Sequence, residues 1–153
     1  MGFSVRLSDP RCKFSSSHFL TYHKKCSRLH GHNYLLTIEV AGDLNEQFFV
    51  VDFFVLKQLL MQIAEELDHA VILPTQSEKI KVEEAGPQIK VTLGEKHYEF
   101  PKEDVRLLPL KATTAELLAE YIFKRIKPQY EKYKITVEVA ESDGATAIYS
   151  EQA

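Results

Sequence analysis

Cys26-Ser-Arg-Leu-His30-Gly31-His32-Asn33-Tyr34-Leu-Leu36-Thr37-Ile38-Glu39-Val40-Ala41 is the stretch on which the fold of this chain turns. From His32 onward, Tyr34, Leu36, Ile38 and Val40 alternate with Asn33, Thr37 and Glu39, the period of a strand with one buried face. Residues two apart on a strand project from the same side. His30 and His32 can therefore offer two imidazoles to one ion, while Gly31 leaves the other side open. A catalytic-type zinc site needs a third nitrogen. His18 is the first candidate, because Phe14, Ser16, His18 and Leu20 would share one face of a strand running antiparallel to His30-Gly-His32 across the 21–29 loop. His23, inside that loop, is the rival. An H-x-H pair alone is equally an ordinary pair of strand histidines, and it is the third histidine nearby that favours a metal.

Outward from this strand the pattern is antiparallel α+β. Residues 3–8 and 13–20 form one N-terminal strand interrupted at Pro10. Behind Asp52, a candidate N-cap, Phe53, Leu56, Leu60, Ile63 and Leu67 recur at spacings of three and four and predict a helix over 53–67. A second helix opens at Thr113-Thr114-Ala115-Glu116, a capping-box pattern, runs through Leu118, Tyr121, Ile122 and Ile126, and stops at Pro128. Ile135, Val137 and Val139 then alternate with Thr136 and Glu138, and Thr146 to Ser150 follows across a Ser-Asp-Gly turn. Strands before and after, with two helices between, predict a sheet carrying both helices on one face. Residues 72–110 contain Ile80–Val82, Ile89–Leu93 and Tyr98–Phe100, separated by Gly86-Pro87 and Gly94-Glu95, and read as an inserted hairpin or small meander.

At 153 residues, with 44% hydrophobic and 27% charged side chains, the chain has the length and composition of a single globular domain, 1–153. No apolar run reaches the ~18 residues of a membrane span. The opening residues lack a basic segment followed by an apolar one, so no secretory signal is read and a cytoplasmic location is expected. A net charge of −3 with scattered lysines gives no field for nucleic acid, and neither nucleic acid nor membrane is expected as a partner. Two cysteines make a poor disulfide framework, and both are read as thiols.

Four further positions carry chemistry. Cys26 lies among Lys24, Lys25 and Arg28, cations of the kind that surround nucleophilic or proton-accepting thiols and that could also hold an anionic substrate tail. Asp68-His69, at the end of the first helix, can relay a proton, although such pairs are common at helix ends. Glu141 ends the apolar row of Ile135, Val137 and Val139, and a carboxylate there needs a partner such as a heterocycle's paired N–H groups. Glu116 is accounted for by the capping box without any ligand.

Together, Phe14-Ser-Ser-Ser-His18, Cys26-Ser-Arg-Leu-His30-Gly-His32-Asn-Tyr34, Val50-Val-Asp52-Phe, Leu67-Asp-His69, Thr114-Ala-Glu116 and Glu141 resemble, over nearly the full length, the 6-pyruvoyl-tetrahydropterin synthase / 6-carboxy-tetrahydropterin synthase family. The resemblance implies the tunnelling fold (T-fold): a four-stranded antiparallel sheet with two helices, assembling as trimers that stack into a homohexamer with active sites between subunits. It implies zinc on His18, His30 and His32, proton transfer by Cys26, Asp68 and His69, a pterin anchor at Glu141, and Thr114 and Glu116 lining the pocket. The implied substrate is 7,8-dihydroneopterin triphosphate. Family members diverge in outcome. Carboxy enzymes eliminate triphosphate and cleave the side chain for 7-deazapurine (queuosine or archaeosine) biosynthesis, pyruvoyl enzymes rearrange it, and a third subgroup uses a glutamate at or beside the cysteine. The acid-free surroundings of Cys26 argue against the third, and Cys-Ser-Arg-Leu-His-Gly-His is most similar to the carboxy enzymes, a zinc-dependent lyase. A catalytically idle zinc and pterin binder is the expectation of a different class. The section 72–110 is longer than in typical bacterial members.

Overall fold

The computed structural model describes residues 2–151. Its centre is the long strand β3 (His30–Gly42), which receives both pieces of the interrupted N-terminal strand, β1 (Phe3–Leu7) and β2 (Lys13–His18), antiparallel along one edge. Val5 lies opposite Val40, Phe14 opposite Tyr34 and His18 opposite His30. The break between the two pieces is stapled by Asp9, whose carboxylate accepts from the Arg11 backbone N–H at 2.9 Å and from its guanidinium. On the other edge of β3 lie β9 (Lys134–Ser142) and then β10 (Ala145–Ser150), both antiparallel. β2, β3, β9 and β10 are the four antiparallel strands that the alternating segments predict, in the T-fold arrangement.

Two short strands extend this sheet beyond that expectation. β4 (Ala70–Pro74) pairs parallel with β2, and β8 (Val105–Leu108) pairs parallel with β4. Ala70-Val-Ile-Leu-Pro74 is almost wholly buried and so shows no alternation, the usual appearance of a parallel strand covered on both faces. The section 72–110 therefore gives both its ends to the main sheet. What stands free is a three-stranded meander of β5 (Ile80–Ala85), β6 (Gln88–Leu93) and β7 (Lys96–Pro101). Its two turns place Gly86 and Gly94 at φ +60°, where a side chain would strain the backbone.

Helix α1 (Phe53–Leu67) begins where Asp52 accepts from the Phe54 N–H at 2.7 Å, and it buries Leu56, Leu60, Ile63 and Leu67. Helix α2 (Ala115–Ile126) buries Leu118, Ile122 and Ile126. Both cover the same face of the sheet, closing over Phe14, Tyr34, Leu36, Ile38, Val40, Ile135, Val137 and Val139. Each such aliphatic side chain contributes about 1.5–3 kcal/mol when fully buried, which fixes the strand register that carries the histidines. A second, smaller core joins the meander to the sheet through Phe19, Leu73, Ile80, Ile89, Val91 and Val105. No helix among the described residues is long and apolar enough to cross a membrane.

The start of α2 differs from the capping-box expectation. Thr114 is the N-cap and its hydroxyl accepts from Leu117 N–H, so Glu116 stands one position too early to reach back to the cap. The capping account of Glu116 is withdrawn, and its carboxylate is exposed in the first turn.

Candidate active site

The ladder between β2 and β3 places Ser16 opposite His32 and His18 opposite His30, so the side chains of His18, His30 and His32 emerge on one face. One ring nitrogen from each lies within 4.8 Å of the others. Two of the rings are fixed from behind. His18 Nδ1 is 2.9 Å from the Thr113 carbonyl, and His30 Nδ1 is 2.7 Å from the Arg28 carbonyl. A carbonyl only accepts, so each Nδ1 carries the proton and each Nε2 keeps its lone pair. His32 Nε2 is buried and has no hydrogen-bond partner among the described residues. Burial holds His18 down to about 4 and His32 below its ordinary range, so both rings are neutral near pH 7. Three imidazoles, two oriented through backbone carbonyls and one with an orphaned nitrogen, could hold a metal ion. His23 takes no part in this cluster. It sits on the loop at φ +61°, exposed to solvent.

Glu141 borders this cluster. Its Oε1 is 3.4 Å from His32 Nε2, out of line for a hydrogen bond, and its side chain is 31% exposed. It also lines a cleft of about 650 Å³ with Thr114, Glu116, Tyr22 and His23. The three residues expected to face a pterin thus meet in one cleft beside the histidines, brought together by β9 and the N-terminus of α2.

Cys26 is half-buried in the loop between β2 and β3, and its carbonyl accepts from Leu20 N–H at 2.7 Å. Tyr22 and His23, earlier in the same loop, wall the Glu141 cleft. Asp68 and His69 occupy a different place. Asp68 Oδ1 accepts from Ser15 N–H at 2.7 Å, and Oδ2 lies 2.5 Å from His69 Nδ1. Burial pushes the Asp68 carboxyl up, but the Ser15 N–H together with the hydrogen bonds and charge of His69 outweighs it and holds the group below its ordinary range. His69, whose side chain is 85% exposed, lines a recess of about 530 Å³ with Ser15, Ser17, Gly31 and Asn33. Those four residues alternate along β2 and β3 with the histidine positions and so face the other side of the sheet, although Ser16 and His32 also border the recess. One chain carries the two groups back to back.

Three supporting residues escaped the sequence reading. Thr113 orients His18, with its hydroxyl also 3.2 Å from Nδ1. The Arg28 carbonyl orients His30. Tyr34 lies fully buried beneath the cluster, its ring 5.5 Å from that of His32 and its hydroxyl 3.4 Å from His18 Nε2. Burial, with the Glu141 charge adding, pushes the Tyr34 phenol up, so it stays a neutral donor. The position of Tyr34 two residues after His32 was a signal for it. A backbone carbonyl leaves no signal in sequence.

Comparison with known proteins agrees with this geometry. A family model described as 6-pyruvoyl tetrahydropterin synthase matches residues 10–152. A Methanocaldococcus jannaschii protein provisionally named 6-carboxy-5,6,7,8-tetrahydropterin synthase is 38% identical over 115 residues, covering 74% of this chain and 71% of that one. The 6-carboxy-5,6,7,8-tetrahydropterin synthase of Haemophilus influenzae is 33% identical over 120 residues, covering 74% and 77%. Among solved structures, Plasmodium vivax 6-pyruvoyltetrahydropterin synthase, in a form with a catalytic glutamate changed to alanine, superimposes with a TM-score of 0.92 at 25% identity over 100% of this chain and 99% of that one. With the model matched from residue 10 to residue 152 and the same sheet and helices in the solved relative, the chain belongs to the 6-pyruvoyl tetrahydropterin synthase family.

Proposed function

We propose that this protein is a zinc-dependent 6-carboxy-5,6,7,8-tetrahydropterin synthase, a cytoplasmic lyase acting on 7,8-dihydroneopterin triphosphate in 7-deazapurine biosynthesis. The observation that carries this reading is the convergence of His18, His30 and His32 beside a cleft holding Glu141, Thr114 and Glu116. Zinc on these nitrogens supplies Lewis acidity toward the side-chain oxygens of the substrate. Glu141 accepts from the amino and ring N–H groups of the pterin, and its partial shielding strengthens that bidentate contact. Cys26 takes a proton from the substrate side chain as triphosphate leaves. Asp68 keeps the His69 ring oriented so that the imidazole can hold or return a proton on the opposite side of the substrate.

Because Asp68-His69 and the histidine cluster lie on opposite faces of one sheet, a complete set requires His69 from a second copy of the chain. A homo-oligomer, a hexamer of stacked trimers in this reading, meets that need. Phe48, Phe53, Phe54 and Val55, all exposed around the start of α1, give it apolar surface to bury.

The loop 21–29 bears on the outcome of the reaction. It contains no acidic residue, whereas the Plasmodium vivax relative has a catalytic glutamate. This favours a cysteine base over a glutamate, and the Cys26-Ser-Arg-Leu-His-Gly-His32 segment favours side-chain cleavage as in the carboxy enzymes. The fit to a 6-pyruvoyltetrahydropterin synthase structure favours a second reading, triphosphate elimination without cleavage. Incubation with 7,8-dihydroneopterin triphosphate separates the two: 6-carboxytetrahydropterin with acetaldehyde supports the first, and a pyruvoyl pterin without acetaldehyde replaces it with the second. Unchanged substrate would mean a zinc and pterin binder without catalysis.

A further inference from the structure

The inserted meander touches the main body where the chemistry is carried, and it does so at three points along one segment. Phe19, the residue after His18, stacks on Tyr98 of β7 with ring centroids 5.0 Å apart. Lys79, just ahead of β5, places its ammonium 5.1 Å from the centre of the Tyr22 ring. Lys96, the first residue of β7, donates to the carbonyl of Ser27 at 2.9 Å and lies 3.3 Å from its hydroxyl. The 21–29 loop has little else to hold it. Within it, Ser27 N–H reaches His23, Arg28 N–H reaches Lys25, and the Ser27 hydroxyl reaches Lys24. Among the described residues, the only side-chain hydrogen bonds reaching this loop from outside come from Lys96 and from His30, itself a member of the site.

We infer that the meander is a buttress for the loop that carries Cys26, and that Lys96 is a positioning residue acting through the backbone of Ser27. The peptide carbonyl that Lys96 grips is one residue from Cys26, so moving it moves the thiol. Lys96 holds the loop at Ser27, while the backbone bond from Leu20 N–H holds it at the neighbouring Cys26 carbonyl. The loop is pinned between strand and insertion. A charge-assisted hydrogen bond to a carbonyl is directional enough to set a position within a few tenths of an ångström, the scale on which proton transfer depends. The inference rests on Cys26 being the base, but the loop's placement can be measured without substrate.

Lys96→Met keeps the aliphatic stem and removes the donor, and Lys96→Arg restores one. The Lys96→Met protein is expected to lose about tenfold or more in kcat with KM within about twofold, and Lys96→Arg to recover most of it. In the same proteins without substrate, alkylation of Cys26 by iodoacetamide, followed peptide by peptide, should change about threefold or more in Lys96→Met and little in Lys96→Arg. Cys12, fully buried, should stay unlabelled as the internal control for folding. Unchanged alkylation of Cys26 together with unchanged kcat in Lys96→Met would overturn the inference. If Cys26 proves not to be the base, alkylation alone still reads the buttress, so the two failures are distinct.

Discussion

The histidine cluster and the Cys26 loop are neighbours in sequence, four residues apart at Cys26 and His30, yet they are held in unlike ways. The histidines stand on paired strands whose register is set by the buried row of Phe14, Tyr34, Leu36 and Ile38. Displacing them means unpairing the centre of the sheet. Cys26 rides on a loop held by a few internal turns, by the Leu20 N–H and His30 at its ends, and by Lys96 and Lys79 from the insertion. The lesson is a division of labour. On the proposed roles, a ligand set that must hold fixed distances is built into the sheet, while a group proposed to take up and release a proton is placed on a segment with adjustable support.

The comparison breaks most visibly if the sheet side is cut. His30→Ala should lose both bound zinc, expected at about one per chain, and turnover, as read by elemental analysis and product assay. Full zinc occupancy in a variant with His18, His30 and His32 all replaced by alanine would remove the assignment altogether. On the loop side, Cys26→Ala should lower turnover by about 10²–10⁴-fold while zinc and pterin binding persist, because the thiol is proposed to act on a proton and not on the ion. Turnover equal to wild type in that variant would point to another base.

Between the two regions sits Glu141, and it sharpens the contrast by testing binding alone. Glu141→Gln should weaken pterin affinity by more than ~2 kcal/mol, with zinc retained. Glu138 is the control. It faces the other side of β9, where both carboxylate oxygens take the Arg6 guanidinium at 2.5 and 2.6 Å, and Glu138→Gln should leave pterin affinity unchanged in calorimetry. Equal affinity for Glu141→Gln and wild type would mean that the ring is held elsewhere.

The smallest effect concerns the sheet side without metal. The folded state holds His18 at about 4, below its ordinary 6.5, so the unfolded chain takes up its proton first. Stability due to this ring is therefore complete above pH 6.5 and is lost as pH falls toward 4. Between pH 7 and 5.5 the metal-free protein should lose on the order of 1 kcal/mol in denaturant titrations from this group, and His18→Gln should flatten the slope. An identical slope in that variant would mean that the ring titrates freely.

Much of this architecture was legible beforehand because it rests on local periodicity. The α1 boundaries at Phe53 and Leu67, the alternation in β3 and β9, and the glycine turns of the meander follow from side-chain spacing and backbone freedom. β4 and β8 were not legible as members of the main sheet, since a fully buried parallel strand has no alternation to detect. The capping of α2 was misplaced by one residue because two adjacent threonines, Thr113 and Thr114, are equally good caps by type.

By itself the sequence determined which residues can bear the chemistry and which of them share a strand face, because a period of two is a property of the backbone. It left His18 and His23 as rivals, and only the register between β2 and β3, set by long-range packing, brought His18 opposite His30 and put His23 outside. Tertiary structure also decided that Thr113 and Arg28 supply the carbonyls behind His18 and His30, that Asp68-His69 faces away from Glu141, and that Lys96 of the insertion reaches the loop of Cys26. Contacts 69 or 95 residues apart along the chain, as between Lys96 and Ser27 or Thr113 and His18, have no local signature, since it is burial of the whole core that brings their ends together.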